Sequence, residues 1–348
     1  MEKENFKIAL VELPATLNGH LAIADDPYIK TIYEEAFLRS PEKEKFADDI
    51  YSLLKLPPRA IPQLESILKN SGFLGTFSVC PEFNSQKGYL TREEFDRLLS
   101  ADIVGISSIT RTIPQSYELA ALLKKVNPDI IIVFGGPHPS TLPEESLIYG
   151  DIVVRNEGDI TILGLMECLL KNGMHSDLQN ILGISYKLNN SIFHNPDRPF
   201  LTREQLSKLP FPEYSEDVLN NITNMNITIS RGCPYRCEFC SVIKLFGPKY
   251  RFPEEDYTLN LIKHHISLKE VRSIFFSDDN IAGDIKRTKR ILQRIIKEKI
   301  PLPDWSCQIR VDAAFDDELM SLMQESGCDY VCVGFESINH ETLQSYNK

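Results

Sequence analysis

The sequence predicts an α/β protein made of two successive series of alternating strands and helices. In its first half, segments 101–108 and 129–136 are apolar on both faces and alternate with amphipathic helices. Such strands are typical of a parallel sheet that is covered by helices on both sides. In its second half, short apolar strands recur at the intervals of a βα barrel. We therefore expect a doubly wound, Rossmann-like or flavodoxin-like sheet followed by a barrel-like domain.

Composition limits the class of protein. The chain has 348 residues and a formal net charge of −11, with 42% hydrophobic and 25% charged residues. Domains average roughly 100–200 residues, so this length indicates two of them. No apolar run approaches the roughly 20 residues of a membrane span, and the start, MEKENFKIALVEL, lacks the features of a signal peptide. We expect a cytoplasmic protein with no membrane partner, and its acidity argues against nucleic acid as a partner.

Five strands are expected in the first domain, in a flavodoxin-like sheet. Ligands of such sheets bind beyond the carboxyl ends of the strands. Apolar periodicity and the positions of proline and glycine place the elements. The expected strands are 7–13, 73–79, 101–108, 129–136 and 151–159. The expected helices are 61–70, 92–99, one that begins at Pro114, and 161–171, with further surface helices within 20–55.

The second series follows a proline-rich segment. Residues 183–220 hold short strand-like pieces and then LTREQLSKLPFPEYSE, which indicates a linker over the surface. Polar residues at the ends of the barrel strands should line the upper mouth of the barrel. The expected strands are 226–231, 273–279, 305–310 and 330–337, and the helices between them include 288–297 and 316–326.

Three of the eight cysteines lie close together, directly after a strand. Cys233, Cys237 and Cys240 have the spacing C-x-x-x-C-x-x-C, whereas the other five are scattered singly and are expected to be small buried side chains. Three thiolates on a short loop can hold zinc or an iron–sulfur cluster. Zinc needs a fourth protein ligand, and His264 and His265 are poorly placed because they are adjacent on a charged helix. A four-iron cluster on three cysteines leaves one iron open to a chelating substrate.

Three loops at the strand ends of the first domain are polar or contain glycine. Ordinary loops have this composition too, and that interpretation stays open. The alternative is a ligand that lies close to the backbone, an approach that glycine permits. The loops are 107–110, 135–140 and 156–159.

The cysteine segment resembles the radical SAM superfamily, whose cluster motif is C-x-x-x-C-x-aromatic-C, with Phe239 as the aromatic residue here. The whole chain looks like the subgroup with an N-terminal cobalamin-binding domain, from LPPRAIPQLESILKNSG to GFESINHETLQSYNK. The loops GGPHPS and NEGD and the segment LPFPEY support the same resemblance. We place the cobalamin-binding-like domain at 1–180, a linker at 181–222 and the N-terminal part of the radical SAM barrel at 223–348.

The resemblance implies that the three cysteines ligate three irons of a [4Fe–4S] cluster, while S-adenosylmethionine (SAM) chelates the fourth. An electron from the cluster would then cleave SAM to a 5′-deoxyadenosyl radical. After the second barrel strand this chain has Ser-Asp-Asp, not the Gly-Gly-Glu of many relatives. Acidic pairs are usually solvated and an arginine is often a surface charge. For Asp278, Asp279 and Arg310, an ordinary surface position without a ligand therefore stays open as an alternative. The SAM contacts implied by the resemblance are Phe239, Asp278, Asp279, Arg310, Glu336 and Ser337.

The cobalamin-binding half departs from one corrinoid pattern. Methionine-synthase-like domains carry D-x-H-x-x-G, whose histidine is the lower cobalt ligand, but no histidine of this chain has an aspartate two residues before it. The cobalt should therefore lack that ligand, and His138 is expected to contact the corrin edge or the backbone. The contacts to cobalamin implied by the resemblance are Ser107, Ser108, Thr110, Gly135, Gly136, His138, Glu157 and Gly158.

The main functional hypothesis is a cobalamin-dependent radical SAM enzyme that methylates an unactivated carbon. Its substrate is expected to be a small metabolite or natural-product intermediate, and its electron is expected from a flavodoxin or ferredoxin. One alternative is a radical SAM cyclase or rearrangement enzyme without cobalamin chemistry. Another, from a different class, is an iron–sulfur electron-transfer protein or a zinc structural protein.

The length also bears on the barrel. Four barrel strands are recognisable, fewer than radical SAM barrels have, and the sequence stops within the helix expected after the fourth. We therefore expect a partial barrel, truncated after strand four. The remaining strands, part of the SAM pocket and any C-terminal substrate domain would lie outside this sequence.

Overall fold

The computed structural model describes residues 2–15, 19–37, 56–84 and 88–348, apart from the side chains of residues 37 and 175. The chain divides into two compact units. The first unit comprises residues 1–50, 58–199 and 212–221, and the second comprises 51–57, 200–211 and 222–348. Part of the segment 20–55, where surface helices are expected, forms a helix, and residues 38–55 lie outside the described residues.

The first unit is built on a seven-stranded sheet. Its strand order is β2-β1-β3-β4-β5-β6-β7. The first five strands in chain order are parallel, and their order 2-1-3-4-5 is that of flavodoxin-like folds, which confirms the predicted parallel sheet. The strands are β1 (Ile8–Glu12), β2 (Thr76–Val79), β3 (Ile103–Ser107), β4 (Ile131–Gly135), β5 (Ile152–Val154), β6 (Ile184–Leu188) and β7 (Ser191–His194).

Helices cover both faces of this sheet. Alternate residues of β1 enter two separate apolar cores, with Ala9 and Val11 in one and Ile8 and Leu10 in the other. A strand buried on both faces explains why its sequence is continuously apolar. The helices are α1 (Pro27–Phe37), α2 (Ala60–Asn70), α3 (Arg92–Leu99), α4 (Ile113–Val126), α5 (Pro137–Thr141), α6 (Pro143–Tyr149) and α7 (Gly158–Asn172). Short 3₁₀ turns occur at Lys3–Asn5, Pro81–Phe83, Gly173–His175 and Leu178–Asn180.

The start of the segment predicted as a linker extends this sheet. Strands β6 and β7 add to it in antiparallel fashion. They are joined by Asn189 and Asn190, both at positive φ (49° and 62°), which is the geometry of a two-residue hairpin turn. Ile184 and Tyr186 of β6 are buried in the core, so the strand-like pieces of this segment belong to the first sheet and are not a linker over the surface.

The second unit contains a four-stranded parallel sheet, as the sequence predicts. Its order is β11-β10-β9-β8, so β8 and β11 are its edges among the described residues. The strands are β8 (Asn224–Ile227), β9 (Ser273–Phe276), β10 (Asp304–Arg310) and β11 (Cys328–Gly334). The helices are α8 (Arg203–Leu206), α10 (Val242–Phe246), α11 (Glu255–Leu268), α12 (Ile285–Lys297), α13 (Asp317–Glu325) and α14 (His340–Ser345), while α9 (Glu216–Asn221) belongs to the first unit. Short 3₁₀ turns occur at Ile281–Asp284 and Val311–Phe315.

Helix caps and one aromatic contact organise the second unit. The side chain of Asp284 accepts a hydrogen bond from the backbone of Arg287 at the start of α12, and Asp316 does the same for Leu319 at the start of α13. Trp305 of β10 is buried, meets Phe276 of β9 edge-on at 5.3 Å, and donates its indole N–H to a backbone carbonyl. Carboxylate caps of this kind stabilise a helix by about 0.5–2 kcal/mol.

The cysteines outside the motif differ in burial. Cys307 is buried as expected, whereas Cys332 is exposed, which the prediction of small buried side chains did not anticipate. Cys332 lies on β11, and the side chains of an edge strand have fewer neighbours. Cys80, Cys168 and Cys328 are partly buried. Among the helices that the structure describes, none is long and apolar enough to cross a membrane.

Candidate functional site

The three motif cysteines lie on a loop that leaves the carboxyl end of β8. The loop is closed at its base by Arg231 and Arg251, which form two backbone hydrogen bonds of 2.7 and 2.9 Å. The Arg251 side chain strengthens this closure, because its Nη2 donates to the carbonyl of Phe246 at 2.8 Å and its Nη1 to that of Leu201 at 3.0 Å. The loop is therefore held at both ends by hydrogen bonds within the chain.

A glycine is required just inside this loop. Gly232 has φ +78°, in the left-handed region that favours glycine. A Cβ at this position would lie 2.7 Å from the carbonyl oxygen of Lys249 and 3.0 Å from that of Gly247. The residue before the first motif cysteine can therefore carry no side chain without displacing the returning arm of the loop.

The cysteines differ in accessibility. Cys237 is buried, whereas Cys233 and Cys240 are partly exposed, and the backbone N–H of Cys240 donates to the carbonyl of Cys237 at 3.0 Å. Burial raises the pKa of the Cys233 thiol, and the nearby charges of Cys240, Asp279 and Cys237 raise it further. Thiols in such a setting become thiolates when metal binds them.

The donors on this loop are those of an iron–sulfur cluster. Among the described residues, no three His, Cys, Asp or Glu side chains converge closely enough to hold a single ion. In an iron–sulfur cluster each cysteine ligates its own iron, so the three thiolates need not point at one position. The residues present therefore fit a three-cysteine cluster by the chemistry of their donors.

The side chain of Arg310 contacts the loop that carries the cysteines. Its Nη1 donates a hydrogen bond to Sγ of Cys237 at 3.4 Å, and its guanidinium carbon lies 3.8 Å from the ring centroid of Tyr235. Nε of Arg310 donates to Asp312 at 3.3 Å, and the hydroxyl of Tyr235 donates to the same carboxylate at 2.8 Å. The fold thus brings the predicted SAM ligand Arg310 to the cluster loop.

The two aspartates after β9 have different environments. Asp278 is fully buried and accepts hydrogen bonds from the backbone N–H of Ile229 at 3.2 Å and from the hydroxyl of Ser230. Burial raises the pKa of Asp278 to about 6. Asp279 is exposed and lies near Cys233, whose pKa its charge raises. The structure therefore joins Asp278 by hydrogen bonds to Ile229 and Ser230, which follow β8, whereas Asp279 is an exposed residue.

Of the remaining predicted SAM contacts, Phe239 and Glu336 are exposed and Ser337 is partly buried. Glu336 follows β11 at φ +59° and pairs with Lys348 at 2.8 Å. The Ser337 hydroxyl accepts a hydrogen bond from the backbone N–H of Asn339 at 3.0 Å. Phe239 is 51% exposed, so this aromatic side chain of the cysteine motif is not part of the apolar core.

A buried arginine beneath the loop was not anticipated from the sequence. Arg287 has no exposed surface, and its Nη2 donates to the carbonyl of Ile229 and the hydroxyl of Thr258, both at 3.1 Å. Its guanidinium also lies 4.4 Å from the ring centroid of Phe252, just after the loop. Burial lowers its pKa. Because Arg287 sits in a polar amphipathic helix, its sequence context indicates an exposed side chain.

In the first unit, the predicted loops meet at the carboxyl edge of the sheet. Ser107 and Gly135 are register partners in β3 and β4. Gly136 has φ +99°, and a Cβ there would lie 2.5 Å from the carbonyl oxygen of Ser108. The Ser108 and Ser116 hydroxyls are 2.6 Å apart. A side chain at position 136 would therefore close the space between the two strand ends.

His138 is held by its own chain through both ring nitrogens. Nδ1 lies 3.3 Å from the hydroxyl of Thr110, and Nε2 lies 3.2 Å from a carboxylate oxygen of Glu145, which also accepts a hydrogen bond from Tyr117 at 3.0 Å. A histidine that ligates a metal needs one ring nitrogen for it. This favours the prediction that His138 does not bind cobalt, which stays a prediction.

The third loop and one further carboxylate complete this edge. The N–H of Asn156, at φ +59°, donates to the Ser140 hydroxyl at 2.9 Å, and the buried Glu157 precedes α7, which begins at Gly158. Glu12 ends β1 at the same edge, and its pKa is raised to about 7 by burial and by the charge of Glu82. Glu12 was not predicted as a site residue, since a glutamate after an apolar strand is usually solvated.

Comparisons with known proteins match both halves of the chain. The family model of the B12 binding domain matches residues 53–165, and that of the radical SAM superfamily matches residues 227–348. An uncharacterized methyltransferase of Pyrococcus horikoshii is 31% identical over 260 residues, covering 71% of this chain and 54% of that protein. The anaerobic magnesium-protoporphyrin IX monomethyl ester cyclase of Rubrivivax gelatinosus is 27% identical and covers 84% of this chain and 54% of that protein.

Two further comparisons concern a methyltransferase and the fold. The bacteriochlorophyllide d C-12(1)-methyltransferase of Chlorobaculum tepidum is 26% identical, covering 71% of this chain and 50% of that protein. The chain thus spans about half the length of these curated relatives. The radical SAM methyltransferase TsrM of Kitasatospora setae has the same fold, with a TM-score of 0.71 and 16% identity over 97% of this chain and 61% of that one. The cobalamin-dependent enzyme OxsB matches with a TM-score of 0.71 and 19% identity over 99% of this chain and 46% of that one.

Proposed function

We propose, since the chain belongs to the radical SAM superfamily and carries a B12-binding domain, that it is part of a cobalamin-dependent methyltransferase. The observation that carries this proposal is the closed loop with three cysteines, to which the fold brings Arg310. The matched methyltransferases support the same reaction class. We assign the reaction to methylation of an unactivated carbon in a small molecule.

The cysteine loop would hold the iron–sulfur cluster. Cys233, Cys237 and Cys240 are its ligands in this proposal, and a bound cluster supplies the single electron that cleaves SAM. A flavodoxin or ferredoxin would provide that electron. The chain contributes a prepared loop, because the hydrogen bonds between Arg231 and Arg251 fix its ends. Such preorganisation lowers the cost of ordering the ligands.

SAM would be bound at the carboxyl ends of the second-unit strands. Asp279 offers an exposed carboxylate to the amino group, and Arg310 offers its guanidinium to the carboxylate. Asp278 stays a proposed SAM contact, and its hydrogen bonds to Ile229 and Ser230 also hold this edge of the strands in place. Phe239, Glu336 and Ser337 stay proposed SAM contacts, and the exposure of Phe239 and Glu336 leaves these two accessible to a ligand.

Cobalamin would lie on the carboxyl edge of the first-unit sheet and supply the methyl carrier. Gly136 leaves room beside Ser108, and a bulky cofactor needs such a close approach to backbone. His138, held by Thr110 and Glu145, would contact the edge of the cofactor rather than its metal. The full proposed set is Ser107, Ser108, Thr110, Gly135, Gly136, His138, Glu157 and Gly158.

A second candidate is radical cyclisation. The cyclase of Rubrivivax gelatinosus aligns with 84% of this chain, a larger share than the 71% aligned with the two methyltransferases. The proposed cluster and SAM sites would serve either reaction. The two candidates differ in the use of the methyl group, which a methyltransferase transfers to product and a cyclase does not.

Anaerobic reconstitution tests these proposals. We expect about four irons per chain, uptake of hydroxocobalamin, and formation of 5′-deoxyadenosine from SAM with a chemical reductant. Label from methyl-labelled SAM should become protein-bound with the corrinoid. Iron with 5′-deoxyadenosine but without corrin uptake would favour the cyclase candidate. Zinc in place of iron would overturn both enzyme proposals.

A further inference from the structure

The inference concerns the hydrogen bond between Arg310 and Cys237. Residue 310 ends β10, whereas residue 237 lies in the loop after β8, 73 positions earlier. Nη1 of Arg310 lies 3.4 Å from Sγ of Cys237, within hydrogen-bonding distance for sulfur. A permanent cation thus donates directly to the sulfur of the most buried of the three proposed cluster ligands.

The guanidinium is fixed by two further residues. Tyr235 lies between the first two motif cysteines, and its ring stacks on Arg310 at 3.8 Å. Asp312 accepts hydrogen bonds from both Arg310 Nε and the Tyr235 hydroxyl, at 3.3 and 2.8 Å. The three side chains form a closed triangle, which defines the direction of Nη1. The Arg310 side chain is only 18% exposed, so water screens its charge less than that of a surface arginine.

Hydrogen bonds to cluster sulfurs and nearby charge set the reduction potential of iron–sulfur clusters. The reduced cluster carries one more negative charge than the oxidised cluster, so a cation that donates to a ligand sulfur stabilises the reduced form more. Residues outside the ligand shell orient the ligands of a metal site and also tune the properties of the metal. The remaining nitrogen, Nη2, makes no hydrogen bond within the described part of the chain and stays able to pair with a carboxylate.

We propose that Arg310, held by Tyr235 and Asp312, is a positioning residue that raises the reduction potential of the cluster through its hydrogen bond to Cys237. This rests on the proposed function, because it needs a cluster on the three cysteines. It assigns to Arg310 a role in electron acceptance that is separate from pairing with the SAM carboxylate.

The test is an EPR-monitored redox titration of the anaerobically reconstituted full chain, without SAM. Omitting SAM removes any effect of Arg310 on SAM binding. In Arg310→Met the midpoint potential should become more negative, with an about tenfold lower ratio of reduced to oxidised cluster at a given potential, or 59 mV for one electron. Arg290→Met is the matched control, since Arg290 pairs with Glu255 on the helical surface, and its potential should equal that of the wild type.

Asp312→Asn provides the second variant, because an amide keeps the hydrogen-bonding shape and removes a negative charge beside Arg310. The midpoint potential of its cluster should shift to less negative values, opposite to the shift in Arg310→Met. Loosening of the loop alone would not produce a shift in this direction. If Arg310→Met does not retain iron, the shift of the cluster potential in Asp312→Asn tests the inference in its place. Unchanged potentials in the variants that retain iron, together with 5′-deoxyadenosine formation by the wild-type chain, would overturn this inference alone. A wild-type chain without an iron cluster would overturn the proposed function as well.

Discussion

Arg231 and Arg251 are paired through both of their backbone hydrogen bonds, at 2.7 and 2.9 Å, and so close the loop that carries the three motif cysteines. The pairing converts a long excursion between β8 and α11 into a segment with fixed ends. Fixing the ends of a loop reduces the conformational entropy that ligand binding must still remove. Four predictions concern this loop, the buried carboxylate of Asp278 and the edge of the first-unit sheet at Gly136.

The first prediction concerns the cluster ligands. Cys237→Ala should remove bound iron and reduce 5′-deoxyadenosine formation by more than the roughly 10–100-fold loss typical of residues outside the ligand shell. Iron and sulfide analysis after anaerobic reconstitution measures this. Cys168→Ala is the control, because Cys168 is a partly buried cysteine of the first unit that lies outside the motif. Iron binding that survives in Cys237→Ala would refute the ligand assignment.

The second prediction concerns the glycine inside the loop. Gly232→Ala should destabilise the second unit by about 1–3 kcal/mol, because alanine disfavours φ +78° and its Cβ would lie 2.7 Å from the Lys249 carbonyl oxygen. Limited proteolysis between residues 231 and 251 and the apparent melting temperature both report this loss.

The control for this glycine lies in a helix. Gly164 is within α7 and a Cβ there would meet nothing within 4 Å, so Gly164→Ala should stabilise the chain by about 0.5–1 kcal/mol. A melting temperature that rises in both variants would show that position 232 tolerates a side chain.

The third prediction concerns the edge of the first-unit sheet. Gly136→Ala should weaken corrin uptake, since its Cβ would lie 2.5 Å from the Ser108 carbonyl oxygen and force the two strand ends apart. Absorbance of retained hydroxocobalamin after gel filtration measures the effect, with Gly164→Ala again as the matched change. Full corrin retention with an unchanged iron content would place the cobalamin contacts elsewhere.

The fourth prediction is a pH dependence from Asp278. Its folded pKa of about 6 lies above the unfolded value near 3.8, so the folded state holds a proton that the unfolded state releases. The stability of the wild type should therefore fall, relative to Asp278→Asn, as pH rises from about 4 to about 6, and the difference should be constant above that.

Melting temperatures of both proteins at pH 4.5 and pH 7 check this prediction. Asp304→Asn, an exposed aspartate at the start of β10, is the control. The prediction is wrong if the difference between the wild type and Asp278→Asn does not vary with pH.

Much of the fold could be predicted because its signals are local. Apolar strands and amphipathic helices alternate along the sequence. This alternation predicts the parallel sheets of both units. The strand-like pieces that became β6 and β7 were recognised, but their pairing with the first sheet was not predicted. Their turn, Asn189-Asn190, lies in a segment whose later prolines indicated a linker, and only the strand pairing shows that they complete the sheet.

Individual side chains of the site were harder to predict. Asp278 and Asp279 are adjacent and identical in type, yet one is buried and the other exposed. Arg287 has the sequence context of a surface arginine and no exposed surface. Whether a charged side chain is covered depends on neighbours from distant segments, which periodicity within one helix does not specify.

The sequence by itself determined the proposed cluster donors: three cysteines at a fixed spacing on one loop, with a glycine beside them. Those features are local, since spacing along the chain limits how far apart the thiolates can lie. Only the tertiary structure decided which groups face the thiolates. Arg310 reaches Cys237 because β10 and β8 are parallel strands of one sheet, and parallel strands place their carboxyl ends at the same edge however far apart they lie in the sequence.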